Sequence, residues 1–349
     1  MGIRKIPGQR SVVNEKSTER VDFAMNEEKH SEVLPEVERE RQMGSRGTLR
    51  PREIPLIDFS NFLERRESIT EALWDAAANY GFFQLINHGI PTPQIDSAFL
   101  KSKEFFALPE PKKAMLPLQP GTNSGWEYMA QVRPSTGVGD YKESFQITTS
   151  RMEKLWPELK NFKSEMLSFE RANWELGMQV LSCFACRLGF ETDFFTKAHD
   201  PSVKSYQSTL RLLHYMAISN DKTPNTVWRA GPHTDFDCLT LLHQEPGQSG
   251  LQICPGAEIS SLAWTDIEPS KGVITCNIGD MLARWSDDEL RSTLHRVVFP
   301  EAKEKQGSRY SIAFFCQANT DIVIRSPRGT YESITAGDYL KQRVNANAL

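Results

Sequence analysis

The sequence lacks three features that would assign it to a broad functional class. Its opening residues contain no apolar run long enough for a secretory signal or a membrane span. Its 41 Lys and Arg residues are balanced by 45 Asp and Glu residues, so it lacks the basic excess typical of nucleic-acid binders. Its six cysteines have no regular spacing of the kind that forms a disulfide framework. We therefore expect a cytoplasmic protein with reduced thiols that binds neither nucleic acid nor a membrane.

The composition is that of an ordinary globular protein, but it is unevenly distributed. Hydrophobic residues make up 39% of the 349 residues and charged residues 25%. Residues 1–50 are rich in Glu, Arg and Ser and cannot bury enough apolar surface to offset the entropy of ordering. They are predicted to form a mobile arm with one short helix near Glu36–Gln42. We expect a helical and strand region with substrate loops over 54–200, a core of strands over 205–320, and a C-terminal helix and tail over 321–349.

Hydrophobic periodicity predicts helices before residue 200 and short strands after it. The predicted helices are Ile69–Tyr80, Pro93–Phe106 and Lys160–Leu188, and residues 117–140 are predicted to form a long functional loop. The later strands are Leu210–Ile218, Cys238–Leu242, Gly250–Cys254, Val273–Ile278, Leu294–Phe299 and Tyr310–Cys316. This order predicts an α+β fold whose strands roll into a sandwich or jelly roll.

The segment GPHTDF, residues 231–236, contains a candidate metal site. In an extended backbone His233 and Asp235 project to the same face and can reach one metal ion. His295, on a later predicted strand, is the natural third ligand. Two imidazoles and one carboxylate leave coordination positions open, which suits iron(II) oxygen chemistry.

Other histidines and cysteines fit structural roles better. His214 and His243 lie on predicted strands, and His243 is separated from Asp235 by the strand CLTLL, which should place it away from the site. Cys183 and Cys186 form a C-x-x-C on the long helix without a second cysteine pair, which favours buried helix thiols over a zinc or redox site.

A second constellation is the pair Arg309 and Ser311, which share one face of a strand. A planar guanidinium binds a carboxylate through two parallel hydrogen bonds, which Lys cannot do. An Arg buried inside the strands needs an anionic partner, and the sequence offers no carboxylate at a matching spacing. A bound dicarboxylate would supply that partner.

Together these residues resemble the iron(II)/2-oxoglutarate-dependent dioxygenase superfamily, in its isopenicillin N synthase-like branch. The likeness extends from residue 54 to 320. Within the superfamily, the sequence looks similar to fungal thymine 7-hydroxylase and to fungal natural-product dioxygenases. The segments that carry the likeness are IPLIDFS, YGFFQLINHGIP, LRLLHY, AGPHTDFDCLTLL, GLQI, NIGDMLARWSDDELRSTLHRVV and RYSIAFFCQAN.

The resemblance implies a distorted double-stranded β-helix with helices packed on one side. It implies that His233, Asp235 and His295 bind Fe(II), and that Arg309 and Ser311 bind the distal carboxylate of 2-oxoglutarate. It also implies that the hydroxyl of Tyr215 contacts that carboxylate, and that O2 is the second cosubstrate.

The resemblance also directs attention to residues of the substrate pocket. Arg211 is a candidate for specificity because it lies on the LRLLHY strand. Three aromatic residues near the motifs are candidate pocket walls, and two in the long loop are expected to close over the substrate. The walls are Phe236, Trp285 and Phe315, and the loop residues are Trp126 and Tyr128.

The expected reaction is hydroxylation or oxidative remodelling of a small organic molecule, by desaturation, ring closure or ring expansion, with release of succinate and CO2. We expect a role in fungal secondary metabolism, with a thymine-like nucleobase as an alternative substrate.

One alternative function is that of an iron oxidase of the same fold that does not consume 2-oxoglutarate, because the R-x-S motif alone does not exclude it. A sensor on an inactive enzyme fold is disfavoured by the intact triad. A metal-dependent hydrolase would not need Arg309 and Ser311 to face an anion.

Overall fold

The alternation of residues from Arg309 to Cys316 sets the plan of the fold. Arg309, Ser311, Ala313 and Phe315 line an internal cavity, whereas the residues between them pack against the hydrophobic core on the opposite face. This computed structural model describes residues 47–132, 139–218, 228–255, 262–299 and 307–346. All of them belong to the unit Leu34–Leu349; the other unit, Met1–Val33, and the helix predicted near 36–42 lie outside the described residues.

The run of closely spaced strands that the sequence predicts begins at Thr209 and follows five strands distributed among the helices of the N-terminal region. The first six are β1 (Thr48–Leu49), β2 (Leu56–Asp58), β3 (Phe82–Ile86), β4 (Gly125–Tyr128), β5 (Lys142–Ile147) and β6 (Thr209–Tyr215). The others are β7 (Ala230–His233), β8 (Leu239–Gln244), β9 (Leu251–Cys254), β10 (Ala263–Ile267), β11 (Ile274–Ile278), β12 (Leu294–Val297), β13 (Arg309–Cys316), β14 (Val323–Ile324) and β15 (Ile334–Thr335).

Thirteen of these strands form two large sheets whose facing sides share one core, and β14 and β15 pair with each other separately. The eight-stranded sheet has the order β2-β3-β11-β8-β13-β6-β5-β4, and the five-stranded sheet has the order β1-β10-β9-β12-β7. Phe82, Leu213 and Ala313 of the larger sheet belong to the same buried cluster as Leu251 and Val297 of the smaller sheet. The cavity that holds the candidate site is lined by residues of both sheets.

The helices of the described residues are α1 (Phe62–Asn79), α2 (Thr92–Phe106), α3 (Glu110–Ala114), α4 (Phe162–Arg187), α5 (Phe194–Ala198), α6 (Asp280–Trp285) and α7 (Ala336–Ala346). Three helices, α1, α2 and α4, pack against the eight-stranded sheet, whereas the C-terminal helix α7 contributes to the cavity. At Gly177, α4 approaches β13 so closely that a Cβ atom would lie 2.6 Å from Sγ of Cys316. Burial of a large apolar side chain stabilises the fold by about 1.5–3 kcal/mol, so this layer holds the cavity-bearing strands firmly.

The predicted α+β jelly roll with helices on one side is confirmed, with local differences. Helix α1 begins at Phe62 rather than at Ile69, and the predicted loop 117–140 contains β4. Residues 47–50, which the sequence places in the arm, include β1 and pair with β10. Within the described residues, no helix is both long enough and apolar enough to cross a bilayer.

Candidate metal centre

His233, Asp235 and His295 converge although they come from separate parts of the chain. His233 is the last residue of β7, Asp235 follows two residues later, and His295 lies directly opposite His233 on the antiparallel strand β12. Oδ1 of Asp235 lies 3.9 Å from Nε2 of His233 and 3.6 Å from Nε2 of His295. One candidate ligand atom from each residue lies within 4.8 Å of the others.

The remaining polar atoms of the two imidazoles are held by the backbone. Nδ1 of His233 donates to the carbonyl of Gly231 at 2.7 Å, and Nδ1 of His295 donates to the carbonyl of Thr293 at 3.1 Å. Because a carbonyl can only accept, each Nδ1 carries the proton and each Nε2 presents its lone pair to the centre. This is the orientation that a metal-binding histidine requires.

The carboxylate of Asp235 is held by two side chains. Its Oδ2 accepts hydrogen bonds from Oγ1 of Thr240 at 2.7 Å and from Nδ2 of Asn277 at 2.8 Å, which leaves Oδ1 to face the imidazoles.

Burial, followed by the charge of Asp235, raises the pKa of the neighbouring Asp237 well above its ordinary value. Thr240 also lies 3.1 Å from Oδ2 of Asp237, so Asp237 in its neutral form can donate to Thr240 while Thr240 donates to Asp235.

His233, Asp235 and His295 line a cavity of about 270 Å³. Its apolar wall includes Phe82, Leu242 and Leu251, and α7 contributes Leu340 and Val344. Pockets for drug-sized ligands occupy roughly 300–1,000 Å³. The cavity therefore suits compact molecules.

One end of the cavity is built around the buried guanidinium of Arg309. Its Nε donates to the carbonyl of Gln248 at 3.0 Å, and its Nη2 donates to Oε1 of Gln244 at 2.8 Å. Burial lowers the pKa of Arg309, and the nearby Tyr215 opposes that change. No carboxylate among the described residues forms an ion pair with Arg309. A buried cation without a carboxylate partner is a site for an anionic ligand.

Ser311 and Tyr215 complete this end. Oγ of Ser311 lies 3.3 Å from Nη1 of Arg309, and the guanidinium carbon lies 4.9 Å from the centre of the Tyr215 ring. Arg309 and Tyr215 occupy paired positions on β13 and β6. All three predicted residues therefore line the same cavity as the metal triad.

A polar network lines another part of the cavity. Arg211 donates from Nη2 to Oε1 of Gln146 at 2.6 Å, and its guanidinium lies 5.0 Å from the centre of the Phe315 ring. Oε1 of Glu127 accepts from Nε2 of Gln146 at 3.1 Å and from Nε2 of Gln131 at 2.8 Å. Arg211 and Phe315 line the cavity as the sequence predicts, and so does Phe236.

The structure places Trp126 and Trp285 away from the cavity lining. Trp126 is on β4, where alternate residues face opposite sides, so Glu127 faces the cavity and the indole donates instead to Glu143 at 2.8 Å. Trp285 is 1% exposed and packs edge-on against Phe194 and Phe195. The exposed side chain of Tyr128 also lies outside the lining.

Sequence reasoning missed the residues that orient the site. Thr240 and Asn277 hold Asp235, while Gln244 and Gln248 hold Arg309. The period-2 alternation of CLTLLHQ places Thr240 and Gln244 on the same face of the strand as Leu242, which lines the cavity, so the pattern points to both residues. Their specific partners could not be identified without the pairing of the strands.

Comparison with known proteins identifies the family. Residues 54–163 match the family described as non-haem dioxygenase in morphine synthesis N-terminal, and residues 206–318 match the 2OG-Fe(II) oxygenase superfamily. A proline hydroxylase of Petromyces alliaceus is 31% identical over 293 residues, covering 78% of this chain and 90% of that protein. A 2-oxoglutarate-dependent dioxygenase of Glarea lozoyensis is 28% identical over 326 residues, covering 85% and 96%.

A solved structure agrees in fold and in chemistry. Full-length Neurospora crassa thymine 7-hydroxylase in complex with α-ketoglutarate (2-oxoglutarate) and thymine is 33% identical, with a TM-score of 0.73. The match covers 84% of this chain and 96% of that one. The converging imidazoles and carboxylate fit iron(II), and the buried Arg309 fits the dicarboxylate. The chain belongs to the iron(II)- and 2-oxoglutarate-dependent oxygenase superfamily and is a 2-oxoglutarate-dependent dioxygenase.

Proposed function

We propose that His233, Asp235 and His295 bind the iron(II) of this dioxygenase, and that Arg309, Ser311 and Tyr215 bind the distal carboxylate of 2-oxoglutarate. The inward-facing Nε2 and Oδ1 atoms support the first assignment. The buried guanidinium without a carboxylate partner among the described residues supports the second. Iron(II) bound there supplies the activation of O2 that oxidises the substrate while 2-oxoglutarate is converted to succinate and CO2.

We propose a small substrate rich in hydrogen-bonding heteroatoms. The observation that carries this proposal is the network of Arg211, Gln146 and Glu127, which faces the cavity that contains the metal triad. A guanidinium and amide groups match acceptor oxygens, and a carboxylate matches an N–H or O–H donor. Phe315, beside Arg211, offers an apolar surface for a ring or an alkyl chain, and Phe236 offers a second one. The volume of about 270 Å³ limits the combined size of 2-oxoglutarate and substrate.

The setting that we propose is fungal natural-product biosynthesis in the cytoplasm. The proline hydroxylase of P. alliaceus and the 2-oxoglutarate-dependent dioxygenase of G. lozoyensis, both relatives of this chain, support a fungal setting. The six cysteines are all free thiols, which suits a reducing compartment. A thymine-like nucleobase is a second candidate, favoured by the likeness to the N. crassa enzyme and by a ring and a guanidinium that lie together at Phe315 and Arg211.

A substrate screen that follows succinate tests the proposal. The purified enzyme with iron(II) and 2-oxoglutarate would be offered nucleobases, proline and other cyclic amino acids, and heteroatom-rich fungal metabolites. We expect succinate to rise above the substrate-free rate for a polar small molecule, together with a product changed in mass by one oxygen or by loss of two hydrogens. Stimulation only by large apolar compounds would contradict the proposed substrate class.

Arg211→Met then tests the pocket assignment. We expect the KM for the identified substrate to rise at least tenfold, while the affinity for 2-oxoglutarate is unchanged, since Arg211 and Arg309 contact different residues. Arg171→Met, at an exposed arginine on α4, is the matched control. An unchanged KM in folded Arg211→Met would remove Arg211 from the substrate site.

A further inference from the structure

The C-terminal helix α7 forms part of the cavity wall. Leu340 and Val344, which are four residues apart and therefore on one face of the helix, both line the cavity that contains the metal triad. Ala336 and Tyr339 are fully buried and attach the helix to the body of the protein. The position of α7 therefore affects the shape of the cavity.

Arg343 extends from the same helix to the loop that carries the metal ligands. Its guanidinium is buried, with 1% exposure, and Nη2 lies 2.9 Å from Oδ2 of Asp280. The same nitrogen donates to Oγ1 of Thr234 at 3.2 Å. The guanidinium carbon lies 4.4 Å from the centre of the Phe236 ring. Thr234 and Phe236 are the two neighbours of Asp235 in the sequence.

Asp280 connects Arg343 to Asp235 itself. The backbone N–H of Asp280 donates to the carbonyl of Asp235 at 2.8 Å, and Oδ2 of Asp280 accepts from Oγ1 of Thr234 at 2.9 Å. Asp280 therefore holds the ligand loop through its backbone and its side chain, and Arg343 neutralises that side chain. Without Arg343, the Asp280 carboxylate would lose this counter-charge in a buried region that also contains the Asp235 carboxylate.

We propose that Arg343 is a positioning residue that couples the docking of α7 to the geometry of the iron-binding loop. An ion pair in the protein interior is weak evidence for stability, because apolar residues of similar volume often stabilise as well or better. A buried guanidinium with hydrogen-bonded contacts to the loop instead fixes a direction and a distance. The docked helix thus sets the cavity wall and the Asp235 carboxylate together. The inference rests on the proposed role of His233, Asp235 and His295 in binding iron(II).

Iron binding, rather than turnover, is the first test. Arg343→Met keeps the length of the side chain without its charge, Arg343→Lys keeps the charge, and Lys341→Met is the control at an exposed position on α7. We expect Arg343→Met to weaken iron(II) affinity at least tenfold, as for other residues that orient metal ligands. It should also weaken the visible charge-transfer band that forms with 2-oxoglutarate. Arg343→Lys should recover part of both, and Lys341→Met should match the wild type. Wild-type affinity and band in folded Arg343→Met would overturn the proposal.

A second measurement uses the wild-type protein and does not depend on the folding of a variant. Coupling is reciprocal, so bound iron(II) must stabilise the docked helix. We expect hydrogen exchange of the amides in 336–346 to slow when iron(II) and 2-oxoglutarate are added without O2. Unchanged exchange in a wild-type protein that binds iron(II) would overturn the coupling alone. A wild-type protein that binds no iron(II) would instead show that the metal assignment had failed, and the coupling with it.

Discussion

His233 and His295 lie opposite each other on neighbouring antiparallel strands, with ring centres 4.3 Å apart. Their pairing places two imidazoles side by side, although the residues are far apart in the sequence. The register is interrupted immediately after this pair, between His295 and Val297. The two strands therefore present both Nε2 atoms to the carboxylate of Asp235, and the following predictions depend on that arrangement.

Asp235→Ala should abolish iron(II) binding and all turnover, because Oδ1 of Asp235 is the carboxylate atom that faces both imidazoles. Iron content after anaerobic loading and succinate release measure the two effects. Asp96→Ala, at an exposed aspartate, should behave as the wild type. Stoichiometric iron in Asp235→Ala would remove this residue from the ligand set.

Thr240→Val and Asn277→Ala should each lower iron(II) affinity about 10- to 100-fold, because each removes one hydrogen bond from Oδ2 of Asp235. Competition with a chelator of known affinity measures the change. Thr209→Val provides a control, since its buried hydroxyl contacts Thr148 and the carbonyl of Gln207 instead of a metal ligand. Equal affinities in the wild type and both variants would show that the Asp235 orientation is set by the backbone alone.

Arg309→Ala should weaken 2-oxoglutarate binding by about 2–5 kcal/mol, the usual cost of truncating one partner of a buried charge pair. Iron(II) binding should be spared, because Arg309 contacts Gln244, Gln248 and Ser311 rather than the triad. Arg309→Lys should give an intermediate loss, since Lys keeps the charge but not the two parallel donors. Titration of the charge-transfer band measures the affinity, and normal 2-oxoglutarate affinity in Arg309→Ala would refute the assignment.

His243 should make the protein sensitive to acid. Burial, with a smaller effect of His88, lowers the pKa of His243 from 6.5 to about 3, and its Nε2 lies 2.7 Å from Oδ1 of Asn173. Between pH 6.5 and 3 the unfolded chain binds a proton that the native protein does not bind. Stability from this residue is therefore present above pH 6.5 and is lost as the pH falls through that range.

His243→Gln keeps a donor for Asn173 but does not titrate. The difference in unfolding free energy between wild type and variant should be constant above pH 6.5. Below it the difference should shift against the wild type by about 1.4 kcal/mol per pH unit. Denaturant unfolding of the metal-free proteins measures it, and a difference that stays constant down to about pH 4 would contradict the neutral, buried histidine.

The fold and the main site residues could be predicted because they depend on features visible in the sequence itself. These are short spacings within one strand and a series of strands in a fixed order. The spacing of His233 and Asp235 places both on one face of an extended chain, and the same rule applies to Arg309 and Ser311. The same alternation explains why His243 points into the helical layer, while Leu242 lines the cavity.

The rest required the three-dimensional pairing of strands and helices. Trp126 was predicted beside the substrate. Adjacent residues of β4 face opposite sides of the sheet, so Glu127 faces the cavity and the indole of Trp126 contacts Glu143 on the other side. Nothing in the local sequence marks the buried contact of Arg343 with Asp280, because the two residues meet only after α7 has packed. The domain boundaries proposed from composition remain a prediction.

Strand β1 determines where the chain can be shortened without harm. It pairs with β10 at Thr48 and Leu49, and Arg52 donates to the carbonyl of Ala263 at 3.0 Å and to Thr265 at 2.6 Å. The match to the family begins only at residue 54. A chain cut at that point would uncover the edge of β10, and unpaired strand edges promote aggregation. A truncated protein intended for crystallisation should therefore begin no later than residue 47.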